Sequence, residues 1–284
     1  VDMYLDDSAQ VVAYDAYPAL MRSRARLSYD DAQAVLDGAN PPVSGEGDAL
    51  EQRIRQCDAI AKKLAAFRRS QGSIDFASTE AKVRLDADGK PLAIVLRTKT
   101  DATELIEQAM ILANETVARH LAGQEWPCLY RVHEKPSADA LAALVPVFQE
   151  FPWFTEAMHA HLIMGNPHTI QGILAATAGR PEHELVSSLL LRAMKRAVYK
   201  PVNDGHYGLG LSAYCHFTSP IRRYPDLVVH RMLRAALTKR SGCFDQEVQA
   251  LPWLAEHSSE MERIADAAAR ESQELKMIEY LAAS

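Results

Sequence analysis

The chain has 284 residues, of which 48% are hydrophobic and 24% are charged, and its net charge is −6. This length suits one large domain or two small ones with a buried core, and no apolar run approaches the roughly 18 residues of a membrane span. The four cysteines are widely spaced and include no C-x-x-C pair. That spacing argues against a zinc site and a disulfide framework, and it favours a reducing, cytoplasmic setting.

The first half of the chain combines helical periodicity with one hairpin. In chain order, the pattern predicts a strand at Val1–Asp6, two helices within Pro18–Leu36 that separate near Arg26, a linker at Pro41–Gly47, a helix at Asp48–Ser70, a hairpin with strands Ser73–Leu85 and Leu92–Arg97, and a long helix at Ala102–Leu121. Asp88-Gly89 supplies the turn chemistry of the hairpin. Asp101, followed by Glu104, is similar to a capping box at the start of the long helix.

The second half is predicted to be mostly helical. In chain order, we expect a strand at Cys128–Val132, helices at Ala138–Phe148, Thr155–Met164 and Glu182–Tyr199, a glycine-containing loop at Gly205–Gly210, and helices at Pro220–Leu237 and Ser258–Leu281. No internal repeat or domain boundary interrupts this pattern. The sequence therefore predicts a helix-rich α+β fold.

Charge is distributed unevenly along the chain. Ten basic and four acidic residues lie between Pro181 and Arg240, whereas three basic and nine acidic residues follow between Ser241 and Ser284. Binding of a polyanion requires a local basic track rather than a basic chain. Ordinary charge alternation among solvated helices explains the same pattern, and charge alone favours that explanation.

Basic residues recur along one predicted helix. Arg192, Lys195, Arg196 and Lys200 form one stripe along the predicted helix Glu182–Tyr199 and the residue that follows it. A solvated helix face is the usual explanation for such a stripe, and a track for nucleic-acid phosphates is the alternative. The stripe indicates a nucleic-acid surface only when other evidence supports it.

A phosphate site is predicted where Ser219 precedes Pro220. Proline disfavours helical geometry in the preceding residue and is favoured in the first helical turn, so Ser219 is expected to cap a helix. Arg222 and Arg223 would then lie beside free backbone N–H groups, and Pro225 would kink or shorten the first turn. A single stripe of this helix would carry Arg222, Asp226, His230 and Arg234. The alternative is a capped helix with surface arginines.

Five segments carry a resemblance to a known family. The sequence from His216 to Arg231 is HFTSPIRRYPDLVVHR, and it resembles the signature of the ribonuclease II/ribonuclease R (RNB) catalytic domain. The other matching segments are RARLSY from Arg24, GSIDFASTEAK from Gly72, LIEQAMILAN from Leu105 and LYRVHEKPS from Leu129. They follow the order that the family uses, so the resemblance extends over the whole chain and is greatest for the ribonuclease R branch.

The resemblance implies a fold and an activity. Residues 1–284 would form the C-terminal portion of an RNB catalytic domain, a partial RNB fold with a hairpin or sheet packed by long helices. Cold-shock and OB-type RNA-binding domains would lie outside the chain. The family degrades single-stranded RNA processively from the 3′ end and releases nucleoside 5′-monophosphates. The implied partners are single-stranded RNA and the remainder of the same polypeptide, with no membrane.

The family holds magnesium ions with aspartates that precede the matched region. Asp6-Asp7 and Asp30-Asp31 are the acidic pairs of that kind here, and both lack the surrounding family pattern. His159 and His161 have H-x-H spacing, but other matching ligands are missing nearby, so a structural role is expected. We therefore predict no metal ligand within this chain. Mg²⁺ would be held by residues outside it, and this segment alone is expected to be inactive.

The resemblance also implies roles for individual residues. Arg222 matches the family arginine that contacts the scissile phosphate, and Glu107 matches an active-site glutamate, so these two are the predicted catalytic residues. Phosphoryl transfer depends mainly on positioning and charge stabilisation, which a fixed guanidinium provides. The predicted RNA-binding residues are Tyr29, Phe76, His216, Thr218, Ser219, Arg223, Arg192, Lys195 and Arg196.

Simpler explanations stay open for several of these residues. Phe76 suits a core position in the hairpin as well as a stacking face for a terminal base, and Tyr29 suits the buried end of a helix. Glu107 is compatible with a solvated helix face. For the whole chain, the alternatives are a non-catalytic RNA-binding or interaction protein of the same family and, with less support, a small-molecule phosphatase.

Overall fold

The computed structural model describes residues 1–39, 47–76, 80–239 and 245–283, and most of them lie in helices. The helices are α1 Tyr29–Leu36, α2 Gly47–Ser70, α3 Asp101–Gly123, α4 Ala138–Ala142, α5 Val145–Phe148, α6 Glu156–Ile163, α7 Pro167–Thr177, α8 His183–Ala193, α9 Tyr224–Thr238 and α10 Asp245–Ala283. The strands are β1 Asp2–Leu5, β2 Val11–Asp15, β3 Glu80–Leu85, β4 Pro91–Arg97, β5 Tyr130–Val132 and β6 Val198–Lys200. The predicted helix-rich α+β class is confirmed. In the described ranges, no helix has the length and apolarity needed to cross a membrane.

The strands form two-stranded antiparallel sheets, β1 with β2, β3 with β4, and β5 with β6. The pair β5–β6 joins segments that are distant in sequence, and its register places Arg131 opposite Tyr199. Isolated bridges add Cys215 to Tyr130 and His206 to His133. These bridges attach the chain that leads into the signature segment to the edge of β5.

Two hydrophobic cores hold these elements together. The first lies where β5 meets α3, α9 and α10, and its buried members include Leu121, Leu129, Val228, Met232 and Leu254. The second lies among α4, α6, α7 and α8, and its buried members include Phe148, Leu162, Ile170, Ile173 and Leu190. Because burial of each such side chain stabilises by about 1.5–3 kcal/mol, both cores hold their helices firmly. The first core supports the elements on either side of the signature segment.

Several predicted elements are confirmed. The helix at 48–70 is α2, and the hairpin is β3–β4, with the turn at Asp86–Lys90 between the strands. The second predicted helix of the region 18–36 is α1, where the Ser28 hydroxyl accepts the N–H of Asp31 and the Asp31 carboxylate accepts the N–H of Ser28. The first strand of the hairpin is shorter than predicted, since β3 begins at Glu80 and Ser73–Phe76 lies outside it. Residues 77–79, most of the predicted linker at 41–47, and Cys243 lie outside the described residues.

Other predictions were wrong for local reasons. Residues 18–27 form no helix. The predicted helix at 138–148 is split into α4 and α5, because Pro146 has no N–H for a helical hydrogen bond and falls in the first turn of α5. The cap of α3 is Thr100 paired with Thr103, rather than Asp101 with Glu104. Strand β2 and helix α7 were not predicted.

The predicted helix at 182–199 was also wrong, and this error matters for the site. Helix α8 ends at Ala193, and Met194 already has extended backbone with ψ of 145°. The chain then enters β6, where Val198 and Tyr199 pair with β5. A long-range strand pairing therefore replaces the last turns of the predicted helix, and the basic stripe along one helix does not exist.

Candidate active site

One buried asparagine fixes the segment that enters the signature. Asn114 lies on α3 and is 1% exposed. Its Oδ1 accepts the backbone N–H groups of Phe217 at 2.9 Å and Thr218 at 3.2 Å, and its Nδ2 donates to the Tyr214 hydroxyl at 3.0 Å. A buried polar side chain needs all of these partners, because an unpaired group costs about 1–3 kcal/mol. Asn114 therefore sets the path of the chain from Tyr214 to Thr218.

The signature segment forms a turn before α9, contrary to the predicted helix start at Pro220. Helix α9 begins at Tyr224, and Pro225 opens it instead of kinking it. The carboxylate of Asp226 has no solvent exposure, and its Oδ1 accepts the N–H of Ser219 at 2.7 Å. Ser219 therefore does not cap the helix. Because Asp226 holds both ends of the turn, the segment from Ser219 to Arg223 stays outside the helix.

Arg223 forms an ion pair with the buried carboxylate, with one hydrogen bond from Nη2. Its Nη2 lies 2.8 Å from Oδ1 of Asp226, and its Nε lies 2.8 Å from Oδ2. The Arg223 side chain is 18% exposed, so the pair is largely shielded from water. Removal of one partner of such a pair costs about 3–5 kcal/mol, because the remaining charge has no buried partner. The position of Arg223 is therefore rigidly determined.

A cavity of about 420 Å³ brings four predicted site residues together. Tyr29 at the start of α1, Glu107 on α3, His216 and Arg223 all line it. Its other walls include Ile106, Asn114, Arg131, Ala197, His206 and Tyr214. Residues from widely separated parts of the sequence thus share one concave site, which is where binding and catalytic groups are expected to converge.

The charged side chains of the cavity are held by partners. The Glu107 carboxylate is half-exposed and lies 2.9 Å from Nζ of Lys99. Arg131 lies 2.5 Å from Glu262 on α10, and its guanidinium lies over the Tyr199 ring, 4.8 Å from the centroid. These contacts fix the directions in which the cavity presents charge. A bound anion would meet guanidinium groups that need little rearrangement.

The histidines of the cavity are uncharged near neutral pH. Burial, assisted by the nearby Arg223 charge, lowers the pKa of His216 to about 2, and burial beside His133 lowers the pKa of His206 to about 3. The Tyr199 hydroxyl lies 2.8 Å from His216 Nδ1. His206 Nδ1 accepts the N–H of Leu209 at 3.2 Å, so Nε2 carries the proton of the neutral ring. These rings contribute shape and hydrogen bonds rather than positive charge.

Arg222, the predicted catalytic arginine, lies just outside this cavity. It is exposed and lines a neighbouring depression of about 640 Å³, which Arg223 lines as well. Within the described part of the chain, Arg222 has no ion pair. Ser219 is partly exposed, and the hydroxyl of Thr218 is buried without a hydrogen-bond partner among the described residues. The two adjacent arginines therefore differ: Arg223 is fixed by a carboxylate, whereas the guanidinium of Arg222 is free to contact a ligand.

Phe76 lies apart from the cavity. It is partly buried and packs against the core formed by α4, α6, α7 and α8. The adjacent chain is positioned through Ile74, whose N–H donates to the carbonyl of Gly208 at 2.9 Å. Phe76 therefore packs in a core, but the core belongs to these helices and not to the hairpin, where the alternative had placed it.

The basic residues between α8 and β6 fall into two groups. Lys195 lies 2.5 Å from Glu134, and Lys200 lies 2.6 Å from the same carboxylate. These two lysines lower the pKa of Glu134 to about 2. Arg192 and Arg196 are exposed and form no ion pair within the described residues. Arg196 directly precedes Ala197, which lines the cavity.

Sequence reasoning missed several residues that build the cavity. Asn114 ends the LIEQAMILAN segment, and Arg131 lies within the LYRVHEKPS segment, so both were inside recognised motifs without an assigned role. His206 was seen only as part of a glycine-containing loop. In the described ranges, no group of three or more His, Cys, Asp or Glu side chains is placed to hold a metal ion. His159 stacks on Phe154 with ring centroids 4.8 Å apart, a packing contact.

Comparison with known proteins identifies the family of the chain. The RNB domain model matches residues 1–239. The chain is 41% identical over 283 residues to ribonuclease R of Aquifex aeolicus, a match that covers 100% of this chain and 39% of that protein. It is 34% identical over 282 residues to ribonuclease R of Escherichia coli, covering 95% of this chain and 34% of that protein.

A solved structure shows the same fold. Ribonuclease R of Mycoplasma genitalium, in complex with ribose-methylated single-stranded RNA, superposes with a TM-score of 0.87 at 27% sequence identity. That match covers 98% of this chain and 43% of the other. The chain thus spans between about a third and about two fifths of the relatives described here. As its motifs predicted, the chain belongs to the RNB domain family.

Proposed function

We propose that the protein carrying this chain is a processive 3′→5′ exoribonuclease that hydrolyses single-stranded RNA and releases nucleoside 5′-monophosphates. The chain would supply the phosphate-binding arginines and one wall of the RNA channel. The single observation that carries the proposal is the cavity that unites Tyr29, Glu107, His216 and Arg223. Membership of the RNB family and the RNA in the Mycoplasma genitalium complex support the choice of substrate.

The arginine pair suits the chemistry of phosphodiester cleavage. Catalysis of phosphoryl transfer is mostly positioning and stabilisation of charge that develops on phosphate oxygens. Arg223 is held by Asp226 and gives the cavity wall a guanidinium in a fixed position. Arg222 is exposed beside it, so its planar guanidinium can grip two oxygens of the scissile phosphate. We assign Arg222 the catalytic contact and Arg223 the supporting one.

Glu107 and Tyr29 would hold the terminal nucleotide. The Glu107 carboxylate is half-exposed at the cavity wall, where it can accept hydrogen bonds from ribose hydroxyls. The Tyr29 ring is 51% exposed and offers a face for a base. Stacking of this kind tolerates every base, as a processive nuclease requires. His216 lines the cavity, while Thr218 and Ser219 would contact the RNA from the segment that leads to Arg222.

Contacts with the RNA backbone would extend beyond the cavity. Arg192 and Arg196 are exposed and are the better candidates for phosphate contacts, because Lys195 already shares Glu134 with Lys200. Each neutralised phosphate releases counterions and strengthens binding at low salt. Phe76 would act indirectly, by packing beneath the segment that leads to the cavity.

Magnesium is proposed as the cofactor, with ligands in the rest of the polypeptide. Among the described residues, no group of three or more His, Cys, Asp or Glu side chains is placed to hold it. When bound, such ions activate water and stabilise the attacking and leaving oxygens. The residues of this chain would grip the phosphate, orient the terminal nucleotide and exclude water around them.

Product analysis on the complete protein tests the proposal. We expect a 5′-labelled single-stranded RNA to shorten from its 3′ end with magnesium, with nucleoside 5′-monophosphates as the released product. Glu107→Gln should slow this release strongly, whereas Glu104→Gln should not. Glu104 is a matched control because it lies on the same helix and 3.6 Å from the same Lys99, but does not line the cavity. RNA binding without any release of nucleotides would instead support a non-catalytic family member.

A further inference from the structure

The depression beside Arg222 has a composition that the proposed cleavage reaction does not explain. It lies between the start of α9 and the middle of α10, and its lining includes Tyr224, Trp253, His257 and Met261. Trp253 is 60% exposed, an unusual state for the largest apolar side chain. Its ring stacks on His257, with centroids 4.8 Å apart and an angle of 10° between the planes. One face of the indole is therefore covered, and the other is open.

This depression adjoins the candidate active site, because the two share a wall residue. Arg223 lines both the cavity and the depression. Tyr199 also lines the depression, and its hydroxyl lies 2.8 Å from Nδ1 of His216 in the cavity. A strand whose terminal nucleotide occupies the cavity would therefore pass the arginine pair and reach the indole next.

Where the arginines line the depression, its charges suit an anionic RNA strand. Arg222 is exposed and has no ion pair within the described part of the chain. Glu262 is neutralised by Arg131 at 2.5 Å, and Asp266 is the other acidic residue of the lining. An open aromatic face beside an available guanidinium is the combination that holds single-stranded nucleic acid without sequence preference. A protein segment would instead need a wider apolar surface with few charges.

We propose that Trp253 is a base-stacking site for single-stranded RNA outside the catalytic cavity. The terminal nucleotide would occupy the cavity, its phosphate would lie at the pair Arg222 and Arg223, and a base on the 5′ side would stack on the open face of Trp253. His257 backs the indole and keeps its ring in orientation. The inference rests on the proposed RNA substrate, but it concerns binding rather than hydrolysis.

Binding of abasic RNAs by the complete protein tests this site. Anisotropy would be measured in EDTA, so that no turnover is required, with a labelled 12-nucleotide RNA and with versions that lack one base at successive positions from the 3′ end. For the unaltered protein, we expect one internal position near the 3′ end at which loss of the base weakens binding about 10-fold. Trp253→Ala should weaken binding of the intact RNA about 10-fold and should no longer respond to loss of that base.

Two further variants control the experiment. Trp253→Phe keeps an aromatic face and should stay within about 3-fold of the unaltered protein. Leu275→Ala removes a side chain of the same helix that is 57% exposed and does not line the depression, so binding should not change.

Unchanged RNA affinity in Trp253→Ala would overturn the inference. So would an equal loss for every abasic RNA together with a lower melting temperature, because Trp253 would then pack against another part of the protein. If binding depends on the base at that one position but no nucleotides are released with magnesium, the proposed hydrolysis is refuted and the stacking site at Trp253 is retained.

Discussion

The two basic regions of the chain hold their cations in different ways. In the turn before α9, Arg223 is fixed by Asp226, a carboxylate without solvent exposure. Between α8 and β6, Lys195 and Lys200 share Glu134, whose side chain is 40% exposed. A buried pair is rigid and costly to break, whereas an exposed pair contributes up to about 1 kcal/mol. The difference indicates that the first region determines geometry and the second contributes mainly charge.

Neither region contains a cluster of metal ligands among the described residues. The largest expected effect is therefore the loss of RNA degradation when the chain is separated from the rest of the protein. The 284-residue chain alone, purified and supplied with magnesium, should release no nucleotides from RNA, whereas the complete protein should degrade it. The reason is that no described cluster of carboxylates can hold the ions. Chromatography of the reaction products measures the outcome. Nucleoside monophosphates from a pure preparation of this chain would mean that its own carboxylates, Glu107 among them, form the metal site.

Removal of the central carboxylate from each region tests the comparison directly. Asp226→Ala should lower the free energy of unfolding by about 3–5 kcal/mol, because Arg223 is left buried without its partner and the N–H of Ser219 loses its acceptor. Glu134→Ala should lower it by no more than about 1 kcal/mol. Urea denaturation of both variants gives the two values. Equal losses would show that burial does not separate the regions.

Lysine substitutions distinguish the two adjacent arginines. Arg222→Lys keeps the charge but loses the planar fork, and turnover in the complete protein should fall about 10²–10³-fold while RNA affinity and melting temperature barely change. Arg223→Lys should instead lower the melting temperature, because lysine cannot contact both oxygens of Asp226. Single-turnover cleavage, equilibrium binding and thermal unfolding would be measured on the same preparations. A large affinity loss with normal turnover in Arg222→Lys would make Arg222 a binding residue.

The smallest expected effect is a change in the salt dependence of RNA binding, in the region between α8 and β6 where the basic side chains contribute charge alone. A phosphate contact in single-stranded RNA contributes a slope of about −0.7 in log K against log salt concentration. Loss of Arg192 and Arg196 together should make the slope shallower by up to about 1.4, whatever the RNA sequence. Lys195→Ala should change it less, because Glu134 already neutralises that lysine. Titration of RNA binding with salt measures the slope. An unchanged slope in the double variant would mean that neither arginine contacts an RNA phosphate and that both belong to an ordinary solvated surface.

Much of the local structure could be predicted from the sequence. Periodicity located α2, turn chemistry located the β3–β4 hairpin, and the predicted break near Arg26 separated α1 from the residues before it. The HFTSPIRRYPDLVVHR segment gave the family. These features depend on residues within one or two turns of each other, so the necessary information lies within a short window of sequence.

The tertiary structure decided where helices stop and which residues meet. Helix α8 ends at Ala193 because β6 pairs with the distant β5, and α9 starts late because the buried Asp226 holds the turn before it. The meeting of Tyr29, Glu107, His216 and Arg223 depends on Asn114, which ties α3 to the signature segment. Hydrogen bonds and ion pairs gain decisive strength only when the fold removes water from them, and a local pattern contains no information on which distant groups will be buried together.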